Sequence, residues 1–313
     1  MLKFLKFTFT RFLLSLFTLL AVSLIVFSLM ELVPANCAER YLAFKNTQGQ
    51  NITVEDIAAE ERRLGLDKPF LVRWGNWVGN VFLEGEFGDS CILRLNINKL
   101  LSDKFFISLG ICLAALILAY LIAIPVGIYS ATTKSAVANN SLRFISYLGL
   151  ALPNFLLALI IMLISTVLFS ESLTGLFSKE YRDAAWSLAK FQDFLSRAWL
   201  PIFVLGWSAT AFAMQTVRAL MLDEIGKLYV TAASARGIYG RKLLWGYPAR
   251  HALGPVINSL GFDLNRIFNE LPVVALILTL TEAGALLIDA LARSNDQQLA
   301  GAIIFLLTAS IVA

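Results

Sequence analysis

Residues 218–255 read RALMLDEIGKLYVTAASARGIYGRKLLWGYPARHALGP, the longest cationic and hydrophilic run lying between two strongly apolar segments. Because the chain on either side reads as membrane-spanning, this run must be a loop on one membrane face. Its pattern is that of a short helix, a break and a second short helix. Leu228, Ala232 and Ala235 recur at i, i+4 and i+7, and Tyr229, Ala233 and Arg236 form a neighbouring stripe. The small side chains let another surface approach the backbone closely. Gly237 stands where a left-handed residue would end the first helix, and Gly240 allows a further turn. Arg241, Lys242 and Arg250 then add positive charge. A helix with a bare alanine face and a cationic exit is suited to docking, although the spacing alone also fits an ordinary connector.

Composition narrows the class. The chain has 313 residues, of which 58% are hydrophobic and 15% charged, with a formal charge of +4. That apolar share is well above the roughly half of a soluble domain. One histidine and scattered acids leave no paired catalytic acids, metal-ligand spacing or activated nucleophile. No G-x-x-x-x-G-K-[ST] loop occurs; Gly226-Lys227 lacks the earlier glycine and the hydroxyl. The expectation is an integral membrane protein without its own motor.

Residues 1–33 carry Lys3, Lys6 and Arg11 and then an apolar run from 12 to 33. The run is too long for a signal peptide and matches the roughly 20 residues a span needs. We read it as a retained first helix with its basic end in the cytoplasm. Residues 34–103 are hydrophilic and read as an external lobe. If so, a disulfide between Cys37 and Cys91 is permitted there, although sequence alone leaves open whether the sulfurs meet. Further apolar runs cover 105–129, 142–169 (with Pro153 inside), 199–222, 255–281 and 299–313. The link 171–197 places Trp186 near a membrane interface, and its WSLAKFQDFL core could form one interfacial amphipathic helix. The last run gives about 22 Å of helix against a core of about 30 Å, so the sequence reads as cut within a sixth helix. Lys and Arg placement agrees with six spans and both ends inside.

The fifth run is polar where hydrocarbon is expected. Asp263–Arg266 is an i,i+3 pair and Arg266–Glu270 an i,i+4 pair, and Asn269 lies beside them. Each ionisable group costs roughly 2.5–3.5 kcal/mol on insertion scales. Two readings follow: a polar wall of a translocation path, or a self-neutralised structural triad.

Motifs in matching order at separated places resemble one family. Y-V-x-T-A-x-A-[KR]-G falls on Tyr229, Val230, Thr231, Ala232, Ala235, Arg236 and Gly237. R-x-L-W and R-x-A-L-x-P follow at Arg241 to Trp245 and Arg250 to Pro255. L-G-L-D-x-P…R…W falls on Leu64, Gly65, Leu66, Asp67, Pro69, Arg73 and Trp77, and G-[DE]-[LF]-G-x-S on Gly85 to Ser90. A-x-P-x-G at Ala123, Pro125 and Gly127, L-G-L-A-L-P-N-F at 148–155 and E-A-G-x-L-L at 282–287 complete the set. The chain resembles the permease subunits of binding-protein-dependent ABC importers, in particular the B-type subunit of the dipeptide/oligopeptide/nickel branch. Thr231 stands where the wider superfamily has Glu. Pro248 departs from a usual helical Ala, so the second short helix is expected to be kinked or shortened. The charges of the fifth run depart from small or apolar residues.

The resemblance implies an all-α integral membrane fold of six transmembrane helices, with a sizeable external loop after the first. Residues 1–33 would be the cytoplasmic N-terminus and first span, 34–103 the external lobe, and 104–313 the permease core with a cytoplasmic coupling loop at 223–254. It implies ATPase contact at Tyr229, Thr231, Ala232, Ala233, Arg236, Gly237, Arg241 and Arg250. The candidate path is Pro153, Asn154, Asp263, Arg266, Asn269 and Glu270. Implied partners are a second homologous permease, two cytoplasmic ATPases, an external substrate-binding protein and membrane lipid, with no nucleic acid and no cofactor. The location would be the inner (plasma) membrane. The competing reading is an ion-coupled secondary transporter that uses the charged cluster.

Overall fold

The computed structural model describes residues 2–51, 53–169, 173–182 and 184–312. Glu171, the start of the expected link, and Ala313, the end of the expected last run, lie outside the described residues. The described residues form helices and connecting turns, with an isolated antiparallel bridge between Asp89 and Asn96. In chain order the helices are α1 (Leu2–Glu31), α2 (Cys37–Thr47), α3 (Val54–Leu64), α4 (Phe70–Gly79), α5 (Ile97–Thr132), α6 (Ala136–Ala151), α7 (Asn154–Phe169) and α8 (Leu188–Ile225). They continue with α9 (Leu228–Ala235), α10 (Gly240–Gly246), α11 (Pro248–Asn258), α12 (Leu260–Ile277), α13 (Ala283–Ile288) and α14 (Gln297–Val312). Three helices, α1, α5 and α8, are long and apolar enough to cross a membrane, and α6 with α7 makes a fourth if the bent pair is one span.

The chain divides into two compact units, Met1–Ser108 with Thr281–Ala313, and Leu109–Leu280. In the first unit the C-terminal segment packs with the N-terminal one, α14 lying along α1. In this first unit Trp77 is 4% exposed and meets the rings of Phe27, Phe87 and Phe305 at 5.0–6.4 Å. Its Nε1 donates to Phe87 O at 3.1 Å, so the indole is buried without an orphan donor. Asn36 and Thr53 begin α2 and α3 with reciprocal side-chain caps from Glu39 and Asp56. Helix α5 starts at Ile97.

In the second unit α8 is the common partner of α6, α7, α11 and α12. Its buried face runs through Ala198, Gly206, Ala209, Ala211 and Ala213, small residues that let neighbours approach. Gly127 on α5 shows how close the approach is: a Cβ there would stand 2.8 Å from Val217 Cβ. The WSLAKFQDFL segment is not a separate interfacial helix. Ser187 caps α8 by accepting from Lys190 N, and the segment forms the first turns of that 38-residue helix.

One other expectation changes, and the one at Pro248 is narrowed to a short, unkinked helix. The third apolar run is not one kinked helix: α6 and α7 meet at 100°, with Pro153 in the break rather than inside a helix. Proline disfavours helical geometry in the residue before it, and Leu152 is extended at ψ 117°. Pro248 does not kink the second short helix. That helix ends at Gly246, and Pro248 opens α11, a position where its missing N–H costs nothing.

Candidate functional site

The loop after α8 is tied down by one tyrosine. Tyr229 Oη donates to Glu224 Oε2 at 2.5 Å, and its ring meets the His251 ring edge-on at 5.0 Å. Glu224 belongs to the end of α8 and His251 to α11, so α9 is linked to both. Burial, then the Glu224 carboxylate, push the Tyr229 hydroxyl up to about 12, which keeps it a neutral donor. Lys227 pairs with Glu224 as well.

Helix α9 ends in a Schellman motif: Ile238 N bonds to Ala233 O at 3.3 Å and Gly237 N to Ser234 O at 2.9 Å. Gly237 has φ +84°, as the sequence anticipated, and Gly240 follows at +63°. The two stripes read from the sequence differ in burial at their centres. Leu228 (87% exposed), Ala232 and Ala235 face outward with Thr231, whereas Ala233 is only 3% exposed and packs inward. Arg236, Arg241 and Arg250 are exposed, and no ion pair involves them among the described residues. The free surface is therefore small-residue, apolar at Leu228 and rimmed by cations.

The polar residues of the fifth run do not form the single triad their spacing suggests. Asp263 is 2% exposed, accepts from the Tyr120 hydroxyl, and faces Arg266 at 3.7 Å. Ser259 also donates to it at 3.4 Å. Arg266 stacks on Phe212, 4.6 Å from the ring centre. Glu270 makes no ion pair with Arg266; Ser208 on α8 reaches its Oε1 at 3.4 Å. The physical reason is that Arg266 is held by Asp263 and the aromatic face, one turn away from Glu270. Asn154 joins Ser208 through its Nδ2 at 3.2 Å, while Pro153 and Asn269 are exposed.

In the first unit Cys37 and Cys91 are joined, with Cα atoms 6.3 Å apart. The bridge borders a cavity of about 410 Å³ lined by Phe27, Arg73, Trp77, Asn295 and Gln297, among others. Asp296 accepts from Ser90 Oγ at 2.7 Å and Cys91 N at 2.8 Å, and caps α14 by accepting from Leu299 N at 3.1 Å. Glu60 is clamped by Arg63 at 2.8 Å and Arg94 at 2.9 Å. Arg63 foremost holds its carboxyl below the usual range.

Sequence reading missed Glu224, His251, Tyr120 and Ser208. A histidine or serine in an apolar or basic context carries no periodic signal. Only the proximity of Glu224 to Tyr229, five residues on, could have suggested that anchor.

Comparison with known proteins supplies the family. Residues 123–313 match the description "Binding-protein-dependent transport system inner membrane component", and residues 1–94 match its N-terminal companion, "Binding-prot-dependent transport system membrane comp, N-term". The chain is similar to the oligopeptide transport system permease protein AppB of Bacillus subtilis, 28% identical across 89% of this chain and 85% of that one. It is similar to the peptidoglycan transport system permease protein YejB of Agrobacterium fabrum, 31% identical across 76% and 66%. The nickel import system permease protein NikB of Staphylococcus aureus is 26% identical across 92% and 81%. The chain belongs to the binding-protein-dependent transport system inner membrane component family, as a multi-pass membrane permease of the peptide, oligopeptide and nickel branch of ABC importers, whose ATP hydrolysis lies in separate subunits.

Proposed function

We propose that this chain carries a peptide-like solute into the cell by alternating access, paired with a second, homologous permease. An external binding protein delivers the solute, and two ATPases dock on the loop after α8. Six spans then correspond to α1, α5, the α6–α7 pair, α8, α11 with α12, and α14, with the N-terminus inside and lipid around them. Relatives named for oligopeptide and peptidoglycan transport support the solute class.

The observation that carries the mechanism is the double anchoring of Tyr229 to Glu224 and His251. A push on the outward face of α9, made by Leu228, Thr231, Ala232 and Ala235, reaches the end of α8 and the start of α11 together. From α11 it continues to Ser259 and Asp263, beside the candidate path. Coupling of this kind needs an element with two packed arrangements, and the sharp α6–α7 bend against α8 is suited to that role. Arg236, Gly237, Arg241 and Arg250 would frame the ATPase contact; Asn154, Asn269 and Glu270 would line the path.

The test is uptake into proteoliposomes holding the complete transporter. ATP-dependent accumulation that is lost in Ala232→Trp, with ATPase no longer co-purifying, supports the reading. Uptake by the permeases alone under an ion gradient would replace it with a secondary transporter.

A further inference from the structure

The cluster on α7, α8 and α12 holds more acceptors than the chain satisfies. Asn154 is 3% exposed; its Nδ2 donates to Leu205 O at 3.3 Å and Ser208 Oγ at 3.2 Å. Its Oδ1 is buried with no donor. Ser208 Oγ passes its own proton toward Glu270 Oε1 at 3.4 Å, and Glu270 Oε2 is likewise buried without a partner. The base one turn away is engaged elsewhere: Arg266 faces Asp263 at 3.7 Å and stacks on Phe212. No ion pair reaches Glu270 among the described residues. Asn154 and Glu270 thus meet around one hydroxyl, each keeping one buried oxygen that has no donor, and no ion pair neutralises the carboxylate. Buried polar groups are normally paired, and a buried charge costs most when it is alone.

We propose that Asn154, Ser208 and Glu270 form a subsite for the primary ammonium group of the transported solute. The inference rests on the permease reading above. A primary ammonium brings one positive charge and three donors and needs no donor in return. The cluster offers one carboxylate, one amide oxygen and one hydroxyl. A guanidinium is less well matched, because its planar fork wants two free oxygens side by side and Glu270 Oε1 is already taken. A divalent metal lacks ligands: no group of three His, Cys, Asp or Glu suited to holding one occurs among the described residues. Position adds a directional element. Asn154 opens α7 immediately after the 100° break, whereas Ser208 and Glu270 sit on other helices. A change of that bend would separate the acceptors, so the two arrangements would bind the ammonium unequally. Such a difference is what a transport cycle requires.

The test uses the assembled transporter in nanodiscs, with the free, buried thiol of this chain removed by Cys112→Ser and a reporter at Asn269→Cys, an exposed position next to Glu270. The rate of labelling by a water-soluble thiol reagent is followed with propylammonium, N-propylacetamide or 1-propanol present. Propylammonium alone should slow labelling. Glu270→Gln should raise the half-protecting concentration by about tenfold or more, as expected for losing a charged hydrogen bond. Ser208→Ala should weaken protection as well, and carries the test if Glu270→Gln fails to assemble. Equal protection by all three probes, no protection, or protection unchanged in both variants would overturn the proposal. ATP-dependent uptake is measured on the same preparations. A transporter that accumulates solute without ammonium-selective protection sinks the subsite and leaves the permease reading standing. Selective protection without ATP dependence sinks the permease reading instead.

Discussion

Gly237→Val is the most informative perturbation of the loop, because its cost is purely a backbone cost. Gly237 has φ +84°, and a Cβ built there meets nothing within 4 Å. A left-handed L-residue costs about 1–2 kcal/mol, and a β-branched one is a genuine outlier in that region. The Schellman bonds from Gly237 N and Ile238 N are then lost together, and the chain leaving α9 takes another direction. A penalty of that size moves an equilibrium by a factor of about 5–30, and apparent affinity falls with the fraction of competent loop. Binding of cognate ATPase to the purified permease should therefore weaken by a similar factor, with membrane helices and thermal stability unchanged. Gly237→Asn, whose side chain tolerates the left-handed region, should recover most of the affinity. Wild-type binding by the Val variant would refute the argument that the turn aims the helix. An Asn variant as weak as the Val variant would place the cause in a steric contact instead.

Ala232→Trp should abolish ATPase co-purification from a normally folded permease, whereas Ala233→Trp, aimed inward, should cost about 1–3 kcal/mol by overpacking and lower the yield of folded protein. Non-reduced peptide mapping should recover Cys37 and Cys91 in one linked species; two freely alkylated thiols would exclude the bridge. Tyr120→Phe should destabilise the second unit by about 1–3 kcal/mol, because buried Asp263 loses a donor, and a thermal shift assay in detergent reads the loss. The Glu60 carboxyl is held below its usual range, so its contribution is present at neutral pH and disappears as pH falls below the ordinary value of about 4.3. Tryptophan fluorescence should show wild type more stable than Glu60→Gln at pH 7, with the difference gone in acid.

Much of this was legible in the sequence because it rests on local chemistry. Hydropathy located α1, α5 and α8, and the alanine stripes with Gly237 gave α9 and its ending. Spacing also identified Asp263 and Arg266 as a pair. What stayed hidden depends on direction and on distant partners. An apolar run with a proline does not say whether it bends slightly or by the 100° seen at Leu152–Pro153. Helical periodicity places Ala232 and Ala233 on adjacent faces without saying that Ala233 is the one that packs inward. Ser208 in an apolar helix is silent until Asn154 and Glu270 are brought to it, and Asp296 reads as loop charge until Ser90 and Cys91 meet it.

The central claim is that ATP hydrolysis on separate subunits drives this chain through the anchored loop. Its most direct test compares wild type with Tyr229→Ala in proteoliposomes containing the complete transporter, measuring ATP hydrolysis and solute accumulation together. The account predicts ATP-dependent accumulation in wild type, and in the variant hydrolysis that continues while accumulation falls. Accumulation that needs no ATP, or a variant that transports as well as wild type per ATP consumed, would contradict it.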